Sequence, residues 1–464
     1  MECVTTPKFS LMINGVMKGF FKSSRGLRQG DPISPLLFVL CMEYLSRILN
    51  RLGELEQFHY HPRCKEIKLT HMCFADDLIM CCKGDFPSCY LLLRAFKLFS
   101  DTTGLQANVK KSAVYTCGMN EREIRRIVDS SGFTHQNLPF KYLGVPICAK
   151  KITAAQCESL VEKMVARIRV WSSRNMSYAA RTQLINSVLL SLHQYWAQVF
   201  ILPKQVLQEI SRICRAFLWS GEYFSQKPGL IAWERVCTPK NSGGLGFRDV
   251  IIWNQASLGK YVWAISSKQD SIWLKWIHSV YLKDVDWWDY KPSSGVSWYW
   301  KKICHVKEQM KQYYTQGELC TMQKYSVKTV YEKMKGEQLK VYWDTAIWNR
   351  LNLPKHRFIF WLAIQEKLRT TEKLRHMGLD TNGLCMICAT QPESHQHLFF
   401  QCHLSKECLQ QLKSWLGFNT NINHVPQLVK FIQRSKKSKF RKQVMFAGCA
   451  GLIYLIWSSR NNAY

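Results

Sequence analysis

From Pro35 onward the apolar residues Leu36, Leu37, Leu40, Cys41, Tyr44, Leu45, Ile48, Leu49 and Leu52 recur three and four positions apart. That spacing predicts an amphipathic helix, with Pro35 suited to its first turn. Leu69 to Cys82 reads instead as two short apolar strands joined at Ala75-Asp76-Asp77, and Leu91 to Phe99 as a second amphipathic helix ended by Gly104. The first 150 residues therefore mix strands and helices. Three further helical patterns follow: Leu160, Val161, Met164, Val165, Ile168; Leu184, Ile185, Val188, Leu189, Leu192; and Val206, Ile210, Ile213, Cys214, Phe217. Residues 151–221 read as a helical domain.

Between residues 222 and 340 tryptophans crowd together (Trp233, Trp253, Trp263, Trp273, Trp276, Trp287, Trp288, Trp298, Trp300), with Ser242-Gly243-Gly244-Leu245-Gly246 as punctuation. Core packing between short helices is the favoured reading, ahead of a base-stacking platform. The last segment carries a Cys/His cluster and then the basic run Arg434, Lys436, Lys437, Lys439, Arg441 and Lys442. The late apolar run Val444 to Trp457 is too short to span a bilayer and suits a buried helix.

Composition narrows the function. The 464 residues carry 64 Lys plus Arg against 33 Asp plus Glu, a formal charge of +31, and 47% hydrophobic residues. Ample apolar material excludes a mainly disordered chain, and the length suggests about three domains. Self-repulsion opposes folding, so so large a positive surplus points to a polyanionic partner, with nucleic acid ahead of an anionic membrane surface. Nineteen scattered cysteines argue against a disulfide framework and for reduced thiols with a metal site. Met1 to Ser10 lacks a signal-peptide pattern. The expectation is an intracellular protein, nuclear or cytoplasmic, neither secreted nor spanning a membrane.

Two constellations offer chemistry. Phe74-Ala75-Asp76-Asp77-Leu78 places adjacent acids in an apolar context. It reads as a polar hairpin turn or as a turn that holds two Mg2+ ions on carboxylate oxygens. Cys385-x2-Cys388-x8-His397-x4-Cys402 offers three thiolates and an imidazole, enough to close a tetrahedral structural Zn2+ shell; a chance Cys-x2-Cys is the alternative in so cysteine-rich a chain. His395 and His403 are nearby alternative donors, read as exposed polar residues. The basic run reads equally as a solvated connector or helix face and as a phosphate contact, and sequence does not separate either from a nuclear-import role.

In order and spacing, Arg25-Gly26-Leu27-Arg28-Gln29-Gly30-Asp31-Pro32, the acidic turn, Gly104-Leu105 with Asn108, Lys111 and Ser112, and Tyr142-Leu143-Gly144-Val145 resemble the palm motifs of reverse transcriptases. They are most similar to those of plant non-LTR (LINE-type) retrotransposons. The resemblance continues through Trp171, Ser177-Tyr178-Ala179-Ala180-Arg181-Thr182-Gln183-Leu184-Ile185, Phe217-Leu218-Trp219-Ser220-Gly221 and Pro239-Lys240 with the Gly243–Gly246 stretch. Trp348, Pro354, Lys355, Phe360, Trp361, Leu362, Glu393-Ser394 and His397 to Cys402 resemble the zinc-binding domain that follows these enzymes.

The resemblance implies an α+β fold: a truncated palm (1–150), a helical thumb (151–221), a mostly helical Trp-rich connector (222–340), a zinc-binding domain (341–410) and a basic helical tail (411–464). It implies Asp76 as a metal ligand assisted by Asp77, and Lys111 as the neutraliser of the pyrophosphate leaving group. Arg28, Gln29 and Gly30 would lie at the incoming nucleotide and template; Tyr142, Leu143 and Gly144 would form the primer grip. Asp76 and Asp77 would hold Mg2+; Cys385, Cys388, His397 and Cys402 would hold structural Zn2+. The partners implied are an RNA template, a DNA primer and their hybrid. One departure matters: no aspartate precedes Arg25, where the family carries a further metal-bridging aspartate. The chain is therefore expected to begin inside the palm, to be catalytically incomplete alone, and to lack RNase H activity. The rival expectations are a non-catalytic nucleic-acid-binding zinc protein or retrotransposon relic, and a scaffold that contacts proteins through its Trp-rich helices.

Overall fold

The structure, a computed structural model, describes residues 8–22, 27, 30–379 and 382–463, and is a mixed α+β chain that divides into two compact units. The first comprises residues 1–149 with 268–290; the second comprises 150–267 with 291–464.

In the first unit, β1 (Lys8–Ile13) and β2 (Val16–Lys22) form an antiparallel hairpin. Helix α1 (Ser34–Leu52) follows, with proline in its first turn as the sequence requires. The hairpin β3 (His71–Phe74) and β4 (Asp77–Met80) pairs Phe74 with Asp77, so the turn is Ala75-Asp76 alone and Asp77 opens β4. Helix α2 (Phe86–Thr103) begins five residues before the apolar repeat, because the Asp85 carboxylate accepts from the Ser88 amide at 2.9 Å and caps it. Gly104 ends it in the left-handed conformation. The core is a seam of Leu45, Leu49 and Leu52 from α1 against Leu92, Ala95 and Phe99 from α2 with Phe58; Leu78 and Met80 of β4 pack onto it. This seam anchors the hairpin. The two-residue strands β5 (Ala113–Val114) and β6 (Thr134–His135), which flank α3 (Glu121–Ser131), pair in parallel, and β7 (Phe140–Tyr142) and β8 (Val145–Ile147) close a tight antiparallel hairpin.

The second unit is helical. Its helices include α4 (Glu158–Ser172), α5 (Tyr178–Leu184), α6 (Lys204–Ser220), α7 (Val250–Ser266), α8 (Trp298–Met310), α9 (Pro354–Ile364), α10 (Thr371–His376), α11 (His403–Leu416), α12 (Val425–Arg434) and α13 (Lys439–Asn462). The repeat Leu184 to Leu192 is not one regular helix: a π-helical turn at Ile185–Leu189 divides it. Helix α9 is buried from Phe358 through Ile364, as a helix apolar on every face must be. Asn254 of α7 donates to the Ala197 and Phe200 carbonyls and accepts from the Leu202 amide, so a buried amide satisfies the end of helix 194–199. None of the nine crowded tryptophans is exposed. Gly244 is required by space: a Cβ there would lie 2.1 Å from the Thr238 carbonyl oxygen. Among the described residues, no helix is long and apolar enough to cross a membrane.

Candidate functional site

The acidic hairpin presents Asp76 and Asp77 to solvent, and Met72 and Phe74 of β3 are exposed beside them. On α1, Leu36, Val39 and Leu40 are likewise exposed, opposite the face that packs on α2. Among the described residues no third acidic, histidine or cysteine donor joins the two aspartates. A pair of Mg2+ ions needs more oxygen ligands than one turn supplies, so the described residues alone do not fit it. Lys111 closes a 3-10 turn, Val109–Lys111, that Asn108 caps by accepting from the Lys110 amide at 3.1 Å; its side chain is exposed. Gly30 takes φ +88°, while Arg28 and Gln29 lie outside the described residues. Tyr142 pairs with Val145 across a two-residue turn in which Leu143 (φ +49°) and Gly144 (φ +80°) are both left-handed. That is the pattern of a type I′ turn, which normally selects asparagine or glycine at the leucine's place.

The Cys/His cluster lies in the second unit. One donor atom from each of Cys385, Cys388, His397 and Cys402 lies within 4.8 Å of the others, and Cys388 Sγ is 3.3 Å from His397 Nε2. Tetrahedral bonds of about 2.0–2.3 Å to zinc need donors roughly 3.5–4 Å apart, so the four residues fit that ion. Local backbone builds the shell. The Ala389 amide donates to the Cys385 carbonyl at 2.7 Å, and the Cys385 amide to the Gln391 carbonyl at 2.8 Å, curling the Cys-x2-Cys loop. His397 opens a π-helical turn, His397–Gln401, and Ser394 Oγ accepts from its amide at 2.9 Å. The Cys402 amide donates to the His397 carbonyl at 2.8 Å.

Burial pushes the Cys385 thiol up to about 11. Burial also works against the Cys388 thiolate, but hydrogen bonds from Thr390 and His397 outweigh it and bring that thiol down to about 6. His403 is exposed; His395 is half-buried rather than exposed, its ring near Phe399 with centroids 6.3 Å apart, and burial followed by the charge of Lys373 lowers its pKa to about 4. Neither joins the four donors.

Glu393, wholly buried beside this cluster, accepts from the amides of Thr371 (2.8 Å) and Met386 (3.1 Å) and from the guanidinium of Arg460 (2.8 Å). Met386 lies inside the Cys-x2-Cys loop, so this carboxylate fixes the loop to α10 and α13. Sequence reading had no signal for Arg460, which lies 67 residues away.

Residues 1–147 match the family described as reverse transcriptase (RNA-dependent DNA polymerase), and residues 325–408 match the family described as zinc-binding in reverse transcriptase. The chain thus carries a reverse-transcriptase segment and, downstream of it, a segment similar to the zinc-binding domain of reverse transcriptases. Its relatives include an Arabidopsis thaliana protein with a provisional ribonuclease H name, 28% identical over 158 residues, which are 33% of this chain and 26% of that protein. Two uncharacterized mitochondrial proteins of Arabidopsis thaliana are also similar. One is 43% identical over 72 residues (14% of this chain, 55% of the relative), the other 28% identical over 120 residues (26% and 78%). The match spans about a quarter of the first relative's length. The match of residues 325–408 to the zinc-binding family and the four clustered donors together support a structural zinc.

Proposed function

We propose that the chain is part of the RNA-directed DNA polymerase of a plant non-LTR retrotransposon, divided into palm (1–150), thumb (151–221), connector (222–340), zinc-binding domain (341–410) and basic tail (411–464). In this reading Asp76, Asp77 and Lys111 serve phosphoryl transfer, Arg28, Gln29 and Gly30 meet template and nucleotide, and Tyr142, Leu143 and Gly144 hold the primer. The observation that carries it is the exposed Asp76-Asp77 pair at the tip of a hairpin held on the α1–α2 seam, within the segment that matches the reverse-transcriptase family. The +31 charge supports template–primer binding.

The 464 residues by themselves are proposed not to extend a primer. Two carboxylates with no third donor among the described residues leave paired cations under-compensated, and this chemistry depends almost wholly on position and charge. Losing one well-placed electrostatic group commonly lowers a rate about 100- to 1000-fold. The exposed apolar residues of α1 and β3 support a hairpin that works packed against further protein. The charge also suits a second reading, a non-catalytic nucleic-acid-binding zinc protein. Primer extension with Mg2+ or Mn2+ separates them, using this chain, its Asp76→Ala variant and a version extended upstream through the family's first aspartate motif. Activity only in the extended version, lost with Asp76→Ala, supports the polymerase reading. Extension by the unmodified chain that vanishes in Asp76→Ala refutes its incompleteness; no activity in any version favours the binding protein.

A further inference from the structure

Residues 403–464 contain ten lysines and arginines and one acid, Glu407. Arg460 is taken up by Glu393, but Arg434, Lys436, Lys437, Lys439, Arg441 and Lys442 bunch where α12 ends and α13 begins. Among the described residues none of these six faces a carboxylate; Lys442 Nζ donates to the Gln433 carbonyl at 2.8 Å. Three of them occupy the first turn of α13, where the helix dipole disfavours cations, so the cluster does not serve helix stability. Among them stands Phe440, 61% exposed. The apolar residues of both helices turn inward, with Leu428, Val429 and Ile432 of α12 and Met445, Phe446 and Cys449 of α13 buried. A lone phenyl ring is a poor membrane anchor, yet a ring flanked by unpaired cations matches a ligand that alternates phosphates with flat apolar faces.

We infer that the α12–α13 junction is a binding site for single-stranded nucleic acid, its phosphates held by Lys436, Lys437, Lys439 and Arg441 and one unpaired base stacked on Phe440. A duplex hides the base faces, so the ring discriminates single strands. The site goes beyond the polymerase reading and does not involve the acidic hairpin.

The test measures binding of the full, zinc-loaded chain to a labelled oligouridylate and to a blunt RNA duplex at several salt concentrations. Phe440→Ala is expected to weaken oligouridylate binding about 5- to 150-fold with the salt slope unchanged, and to leave duplex binding nearly intact. Lys436→Gln, Lys437→Gln and Lys439→Gln together are expected to lower the slope of log affinity against log salt by about 2, near 0.7 per lost contact. Zinc content and circular dichroism equal to wild type show that the fold survives. The inference is overturned if Phe440→Ala changes nothing or weakens single strand and duplex alike. It is equally overturned if the triple variant keeps the slope, or if the junction variants impair only binding to anionic phosphatidylserine vesicles.

Discussion

Glu393 and Arg460 form a buried, forked ion pair: Arg460 Nη2 lies 2.8 Å and Nε 3.1 Å from Glu393 Oε1, with the carboxylate wholly buried and the arginine 5% exposed. The pair joins the loop that carries two zinc donors to the last turn of α13, so the metal shell and the C-terminal helix are held by one carboxylate.

Arg460→Met strands that carboxylate in the interior with two amide donors. Breaking such a pair from one side costs about 3–5 kcal/mol. The double variant Glu393→Gln with Arg460→Met removes both charges and is expected to cost clearly less than Arg460→Met alone. Denaturant unfolding of the zinc-loaded proteins reads the difference. Equal losses in the single and double variants would show that packing, rather than the stranded charge, sets the cost.

One zinc per chain is expected, held by Cys385, Cys388, His397 and Cys402. Metal and fold are coupled because four donors gather only when the loop closes, and structural zinc sites commonly contribute on the order of 10 kcal/mol. Elemental analysis should return close to one equivalent, falling in a variant with both Cys385→Ser and Cys388→Ser, whose melting temperature should also fall. Full zinc and unchanged stability in that variant would remove these residues from the shell.

His193 has no exposed surface, and burial, then the nearby charge of Arg248, lowers its pKa from 6.5 to about 4. Between those values the unfolded chain binds the proton and the folded chain does not, so stability present above pH 6.5 is lost as the pH falls toward 4. The full loss is about 3 kcal/mol by linkage. His193→Leu abolishes this part of the acid sensitivity. Unfolding measured for both proteins across the window should show wild type losing about 3 kcal/mol relative to His193→Leu on acidification; an unchanged difference would mean that His193 takes up its proton in the fold as readily as in the unfolded chain.

How far the sequence speaks depends on the range of the interaction. Helix α1 was readable because Leu45, Leu49 and Leu52 repeat on one face, and the Cys385–Cys402 cluster because its donors lie within 18 residues. The start of α2 escaped a reading of apolar spacing, since its signal is polar: Asp85 capping the Ser88 amide. The π-helical turn at Ile185–Leu189 keeps a helical apolar pattern, so periodicity alone cannot show it. The pairing of Glu393 with Arg460 was beyond reach for a different reason, because a buried pair 67 residues apart leaves no local pattern.

Leu143 provides the sharpest probe of the β7–β8 turn. Its φ of +49° places a leucine where a type I′ turn favours asparagine, and a left-handed conformation costs an ordinary residue about 1–2 kcal/mol. Leu143→Asn should therefore stabilise the hairpin, by roughly 1 kcal/mol once the lost packing of a half-buried side chain is subtracted. Strain of this kind persists where a side chain is needed for something other than stability. If that need is contact with a primer, the more stable variant binds an RNA–DNA hybrid more weakly, by several-fold at fixed salt. Denaturant unfolding and a hybrid titration on the same preparations measure both quantities. Greater stability with weaker binding ties Leu143 to the primer. Greater stability with unchanged binding assigns the leucine to the fold and removes it from the grip.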